Sequence, residues 1–89
     1  MELEIQEKIG DRIKELRTEK NLTQEAVAWR SDVDRTFMNH VENGRRNISV
    51  KSLEKIVVMG LDTSLKDFFN SSLFNGKKTK NKSLDTSDK

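Results

Sequence analysis

Apolar residues recur at helical spacing along most of the chain. Ile5, Ile9, Ile13 and Leu16 stand four, four and three residues apart, which makes one stripe of an amphipathic helix. Asn21 follows where a left-handed residue ends a helix, and Leu22 is the first apolar residue beyond the turn. A second helix opens at "TQEAVAWRS". Thr23 is its hydroxyl cap, Glu25 puts negative charge in its first turn, Ala26 and Val27 face inward, and small Ala28 admits a close neighbour. Ser31 and Asp32 end it. Asp34 caps a third helix over roughly 35–42, with Phe37, Met38 and Val41 as its apolar contacts and Gly44 closing it. Ser49 or Ser52 starts a fourth helix with the stripe Leu53, Ile56 and Val57, and Gly60 stops it. Thr63 or Ser64 caps a fifth helix containing Leu65, Phe68 and Phe69, and Leu73 and Phe74 follow.

The pattern therefore predicts an all-α protein of five short helices. A turn of about four residues joins the second and third helices, the helix-turn-helix arrangement whose second member enters a major groove. After Asn75 the text becomes "GKKTKNKSLDTSDK", with one apolar residue. Two units are expected: a folded domain over 1–75 and a disordered basic and polar tail over 76–89.

Composition narrows the function. Eighty-nine residues make one domain, and a chain this short buries only about 60% of its unfolded surface, so its stability margin is thin unless it self-associates. It has no cysteine, hence no disulfide and no thiolate metal site, and a single histidine, His40, without ligand partners. No metal or cofactor is expected. No nucleophile–base pair or glycine-rich phosphate loop appears, so an enzyme is not expected either. The charged start "MELEIQEKIG" is unlike a leader, and no run approaches a membrane span; the expected location is the cytoplasm, on the nucleoid.

Net charge is +2, but the distribution matters more. Residues 76–89 hold five Lys and two Asp, so residues 1–75 carry twelve basic and thirteen acidic groups. Within 30–51, Arg30, Arg35, Arg45, Arg46 and Lys51 outnumber Asp32, Asp34 and Glu42. That excess is meaningful only if the groups share a face.

The third helix supplies one. With Met38 and Val41 turned to the core, Arg35, Thr36, Asn39 and His40 lie largely on the other side. Arg35 and Thr36 occupy the first turn, which in this arrangement points at base edges. Arginine pairs bidentately with guanine, and a threonine hydroxyl and methyl suit a base or a phosphate. Phe37 belongs either to the core or against a thymine methyl. Asn39 reaches adenine or is merely solvated, and His40 is an exposed residue near the DNA. Gln24, at the start of the second helix, suits a phosphate oxygen. Asn43, Arg45, Arg46 and Asn47 form a loop that lies along the backbone, and Ser52 joins that set. Arg17 and Glu42 border apolar positions and are expected to form a partly buried structural ion pair. Leu61, Leu65, Phe68, Phe69, Leu73 and Phe74 are more than one short helix needs for a core, so Leu65, Phe68, Phe69 and Leu73 are expected to form a dimer interface.

"IGDRIKELRTEKNLTQEAVAWRSDVDRTFMNHVENGRRNISVKSLEKIVVMGLDTSLKDFF" resembles the phage repressor/Cro-like (xenobiotic-response-element type) helix-turn-helix family, across about residues 9–69. The frame of Arg17, "LTQE" and Glu42-Asn43-Gly44 carries the resemblance. "DRTF", "RRNISVKSLEKI" and the length look like the controller proteins of restriction–modification systems. The resemblance implies a five-helix dimer that binds double-stranded palindromic operators upstream of its own and the endonuclease gene, activating at low occupancy and repressing at high, with RNA polymerase as a further partner. It places Arg35, Thr36 and Phe37 at base-reading positions, and Gln24, Asn43, Arg46 and Asn47 at backbone or minor-groove positions. It also puts Arg17 and Glu42 on the family's ion pair. Asp32 departs from the glycine usual in the turn, and Asn39 and His40 are not typical. An antitoxin or protein-binding adaptor on the same fold is the alternative; it predicts no sequence-specific DNA binding.

Overall fold

The computed structural model describes residues 3–75; the predicted tail over 76–89 lies outside the described residues. Helix α1 (Ile5–Glu19) leads into α2 (Gln24–Ser31), α3 (Arg35–Glu42) and α4 (Val50–Glu54). Helix α4 continues without a break into a π-helical segment (Lys55–Gly60), in which the Leu61 N–H reaches back five residues to the Ile56 carbonyl at 2.9 Å. Helix α5 (Leu65–Phe69) and a single 3-10 turn (Ser72–Phe74) complete the fold.

Side-chain oxygens cap four helices at their starts. Thr23 accepts from the Ala26 N–H at 3.0 Å, and Asp34 from Thr36 at 2.9 Å and Phe37 at 3.3 Å. Ser49 rather than Ser52 caps α4, accepting from Ser52 N–H at 3.0 Å, and Ser64 rather than Thr63 caps α5, accepting from Asp67 N–H at 3.0 Å. Helices α1 to α3 end in the same way. Asn21 (φ 58°), Asp32 (φ 57°) and Gly44 (φ 72°) take the left-handed conformation. The next residue then donates to the carbonyl five positions back: Leu22 to Arg17 at 2.9 Å, Val33 to Ala28 at 3.0 Å, and Arg45 to His40 at 2.9 Å. Asp32 thus performs the glycine's part in the turn, because a short polar side chain tolerates the left-handed region better than most. The turn between α2 and α3 is three residues, 32–34, one shorter than the sequence suggested.

The core joins every helix: Ile13 and Leu16 from α1, Val27 and Ala28 from α2, Met38 and Val41 from α3, Leu53, Ile56, Val57 and Leu61 from the α4 region, and Phe68 from α5. Ile5 does not belong to it. Ile5 is 54% exposed, so the predicted stripe begins only at half-buried Ile9. Two glycines allow backbones to approach. A Cβ at Gly60 would strike Ser31 Oγ and Val27, so this residue serves the packing of the π-helical segment on α2. At Gly10 a Cβ would lie 2.5 Å from the Val41 carbonyl oxygen and 2.7 Å from that of Glu42. Alanine is worth about 1 kcal/mol over glycine inside a helix. The clash here is with backbone that cannot rotate away, and it outweighs that gain. Gly10→Ala is expected to lower the unfolding free energy by about 1–3 kcal/mol in urea titration; a stabilised variant would mean α1 and α3 do not pack this closely.

Candidate nucleic-acid interface

Helix α3 is two-sided. Met38, Val41 and Glu42 are buried, while Arg35, Thr36 and Asn39 are exposed and His40 is half-buried. The Arg35 side chain makes no hydrogen bond or ion pair among the described residues. The Thr36 backbone N–H is capped by Asp34, but its side chain is exposed. These two first-turn side chains are free to meet an external partner.

The polarity behind them comes from a buried charge. The Glu42 side chain is 2% exposed and the Arg17 side chain 15%. Arg17 Nε donates to Glu42 Oε2 at 2.7 Å and Nη2 to Oε1 at 3.1 Å, while Nη1 donates to the Leu22 carbonyl at 2.8 Å. The pair ties α1 to α3 and to the turn before α2. Gln24 Nε2 also donates to Glu42 Oε1, at 3.1 Å. An ionised carboxylate only accepts, so it sets the direction of the Gln24 amide. Gln24 Oε1 then accepts from Asn39 Nδ2 at 3.2 Å, and Asn39 Oδ1 accepts from Asn43 Nδ2 at 3.2 Å. Gln24 is therefore turned inward at the start of α2 and is not simply solvated. Asn39 is held on both sides, with one N–H and one lone pair left for a ligand.

The loop after α3 continues this surface. Arg45, Arg46 and Asn47 are exposed. The Arg46 guanidinium lies 5.1 Å from the centre of the Phe37 ring. Phe37, which the sequence left between two roles, packs partly on the core and carries Arg46 on its outer face. Arg45 Nη1 lies 3.5 Å from His40 Nδ1. Ser52, in the first turn of α4, accepts from Ser49 Oγ at 3.1 Å and is half-buried. Arg46, Asn47 and Ile48, with Ile5, Gln6, Ile9 and Val41, line a shallow cavity of about 170 Å³ beneath the loop. No His, Cys, Asp and Glu grouping suited to a metal occurs among the described residues, and none of their helices is long and apolar enough to cross a membrane.

The aromatic end of the chain requires a correction. Phe68 was expected at a dimer interface, but it is fully buried in its own monomer. Its ring plugs the core at the base of α5, so it has no surface to offer a partner. Leu65 and Leu73 are half-buried and Phe69 is 40% exposed. Val58 (45%) and Met59 (52%), on the π-helical segment that α5 packs against, add exposed apolar surface that the sequence reading did not single out. A widened turn leaves no mark in a hydrophobic pattern read at α-helical spacing. Arg12 was also missed: it borders the stripe of α1 as Arg17 does, and the rule applied to Arg17 would have found it.

Two helices joined by a three-residue turn that opens on left-handed Asp32, the second helix presenting free polar side chains, define a helix-turn-helix domain. Residues 8–64 match the family described as "Helix-turn-helix domain". The control protein C.MunI of Mycoplasma sp. is 43% identical over 67 residues, covering 74% of this chain and 89% of that protein. Among solved structures, the restriction–modification controller protein C.Esp1396I, as a tetramer in complex with its natural 35-base-pair operator, is 41% identical with a TM-score of 0.71, covering 76% of this chain and 88% of that one. The controller protein C.AhdI from Aeromonas hydrophila is 38% identical with a TM-score of 0.68, covering 73% and 97%. The chain belongs to the helix-turn-helix family of restriction–modification controller proteins.

Proposed function

We propose that this protein is a homodimeric, sequence-specific DNA-binding transcription regulator of the controller type. It recognises palindromic operators upstream of its own and an endonuclease gene, activating at low occupancy and repressing at high. The observation that carries this reading is the first turn of α3, where Arg35 and Thr36 are exposed and unengaged on a helix pinned from behind by Arg17. Arg35, Thr36 and Phe37 take the base-reading positions, with Asn39 and His40 modulating preference. Gln24, Asn43, Arg45, Arg46, Asn47 and Ser52 hold the backbone. One such module covers only about 600–1,000 Å², so two are needed, reading half-sites about one helical turn apart. Leu65, Phe69 and Leu73, with Val58 and Met59, supply the apolar surface for pairing. Activation implies contact with RNA polymerase. Trp29, 83% exposed on α2, is the most exposed large apolar side chain among the described residues and suits a protein partner.

Selection of binding sites from random DNA at a stated salt concentration tests the reading. The expected result is enrichment of a palindrome, and no enrichment refutes sequence-specific binding, leaving the protein-binding adaptor. Arg35→Ala is expected to cost about 1–3 kcal/mol at one position in each half-site and to relax preference there. A uniform loss across all sequences would instead make Arg35 a phosphate contact.

A further inference from the structure

Helix α1 carries two arginines that reach across to other elements. Arg17 grips Glu42 on α3. Five residues earlier, Arg12 reaches the end of α5. Its Nε donates to the Phe68 carbonyl oxygen at 2.7 Å, Nη2 to the Asp67 carbonyl oxygen at 2.9 Å, and Nη1 to Glu15 Oε1 at 2.9 Å. Every guanidinium nitrogen is engaged, and the side chain is only 12% exposed. A planar fork satisfies two consecutive carbonyls at once; a lysine ammonium is a point charge without that fixed geometry. The positive charge also lies at the C-terminal end of a helix, where carbonyl dipoles favour it.

Phe69 directly follows the two residues whose carbonyls Arg12 holds, and its ring packs edge-on against Phe68 at 5.0 Å and Phe74 at 4.9 Å. Arg12 thus fixes the backbone from which the self-association surface projects. Between Arg12 and Arg17 lies continuous helix, and five residues rise about 7.5 Å along its axis. One anchor of this strut holds the recognition helix and the other holds the pairing surface.

We propose that Arg12 is a positioning residue that sets the half-site spacing the dimer accepts, by locking α5 at a fixed separation from α3. The inference rests on the dimer reading above. In a dimer, that separation decides how far apart the two α3 helices stand. One added base pair shifts a half-site by about 3.4 Å and turns it by about 35°. A locked α5 rejects the altered site, and a loosened one follows it.

The test is the affinity of the full chain for its selected operator and for versions with the centre one base pair longer or shorter. Wild type, Arg12→Met and Arg12→Lys are compared at concentrations where sedimentation shows each to be dimeric. Arg12→Met is expected to lose about tenfold of the spacing discrimination, the factor one charge-assisted hydrogen bond supplies, while base preference inside each half-site stays that of wild type. Arg12→Lys, keeping the charge and one carbonyl contact, is expected to fall between, and it carries the test if Arg12→Met does not fold. Wild-type spacing discrimination in the variants overturns the proposal. So does a loss of affinity equal for all spacings, which is what a purely structural role would give. A wild-type chain that sediments as a monomer at every concentration overturns the dimer reading and this inference with it, whereas a dimeric wild type with insensitive variants overturns only the role of Arg12.

Discussion

Arg17→Ala is expected to remove about 3–5 kcal/mol of unfolding free energy. The reason is the asymmetry of the pair. Glu42 is nearly sealed from water, with the Gln24 amide as its only other hydrogen-bond partner among the described residues. Without Arg17 a buried carboxylate keeps one neutral donor where it had a bidentate cation. The Leu22 carbonyl loses its donor as well. For a small domain, whose total stability is about 5–15 kcal/mol, a loss of this size brings the chain close to unfolding. Removing both charges with apolar residues of similar size, as in Arg17→Met with Glu42→Leu, is expected to recover much of the loss, because the desolvation cost disappears together with the attraction. Chemical denaturation of Arg17→Met, Glu42→Leu and the double variant closes the cycle and gives the coupling energy directly. A cost under about 1 kcal/mol for Arg17→Ala would place the pair among ordinary surface bridges and contradict the burial seen here.

Phe69→Glu is expected to give a folded monomer that binds the operator about 10²–10⁴-fold more weakly, through loss of the second half-site. Phe69 is 40% exposed, so a carboxylate there reaches solvent in the monomer but would be desolvated in a pairing surface. Sedimentation velocity reads the mass, and operator titration reads the affinity. Unchanged mass would remove this face as the dimer interface. Phe68→Glu is the instructive contrast. Its ring is fully enclosed, and the same substitution there is expected to unfold the domain instead of dissociating it.

These two residues show where sequence reading reaches its limit. Adjacent aromatics on one short helix were both legible as apolar, and both were assigned to a partner. A helix of five residues is too short for spacing to separate its inner from its outer face. Only the packing of α5 against α1 and the π-helical segment decided that Phe68 turns in and Phe69 out. Gln24 is a similar case. Its place at the start of α2 was legible, but its inward turn depends on Glu42, eighteen residues away. Phe37 lies between core and surface because Arg46, from the next loop, covers it.

By itself the sequence determined the five helices and most of their ends, since caps and left-handed stops are local: Thr23, Asp34, Asn21 and Asp32 act on backbone within a few residues of themselves. It also placed Met38 and Val41 on the core side of α3, because helical periodicity sorts its two faces, and left Phe37 open. The tertiary structure decided what depends on partners distant in the chain. It paired Arg17 with Glu42, set the amide relay through Gln24 and Asn39, buried Phe68, and joined Arg12 to the end of α5. Such contacts form when helices pack, and no local rule specifies which side chain a long polar group will meet across the interface.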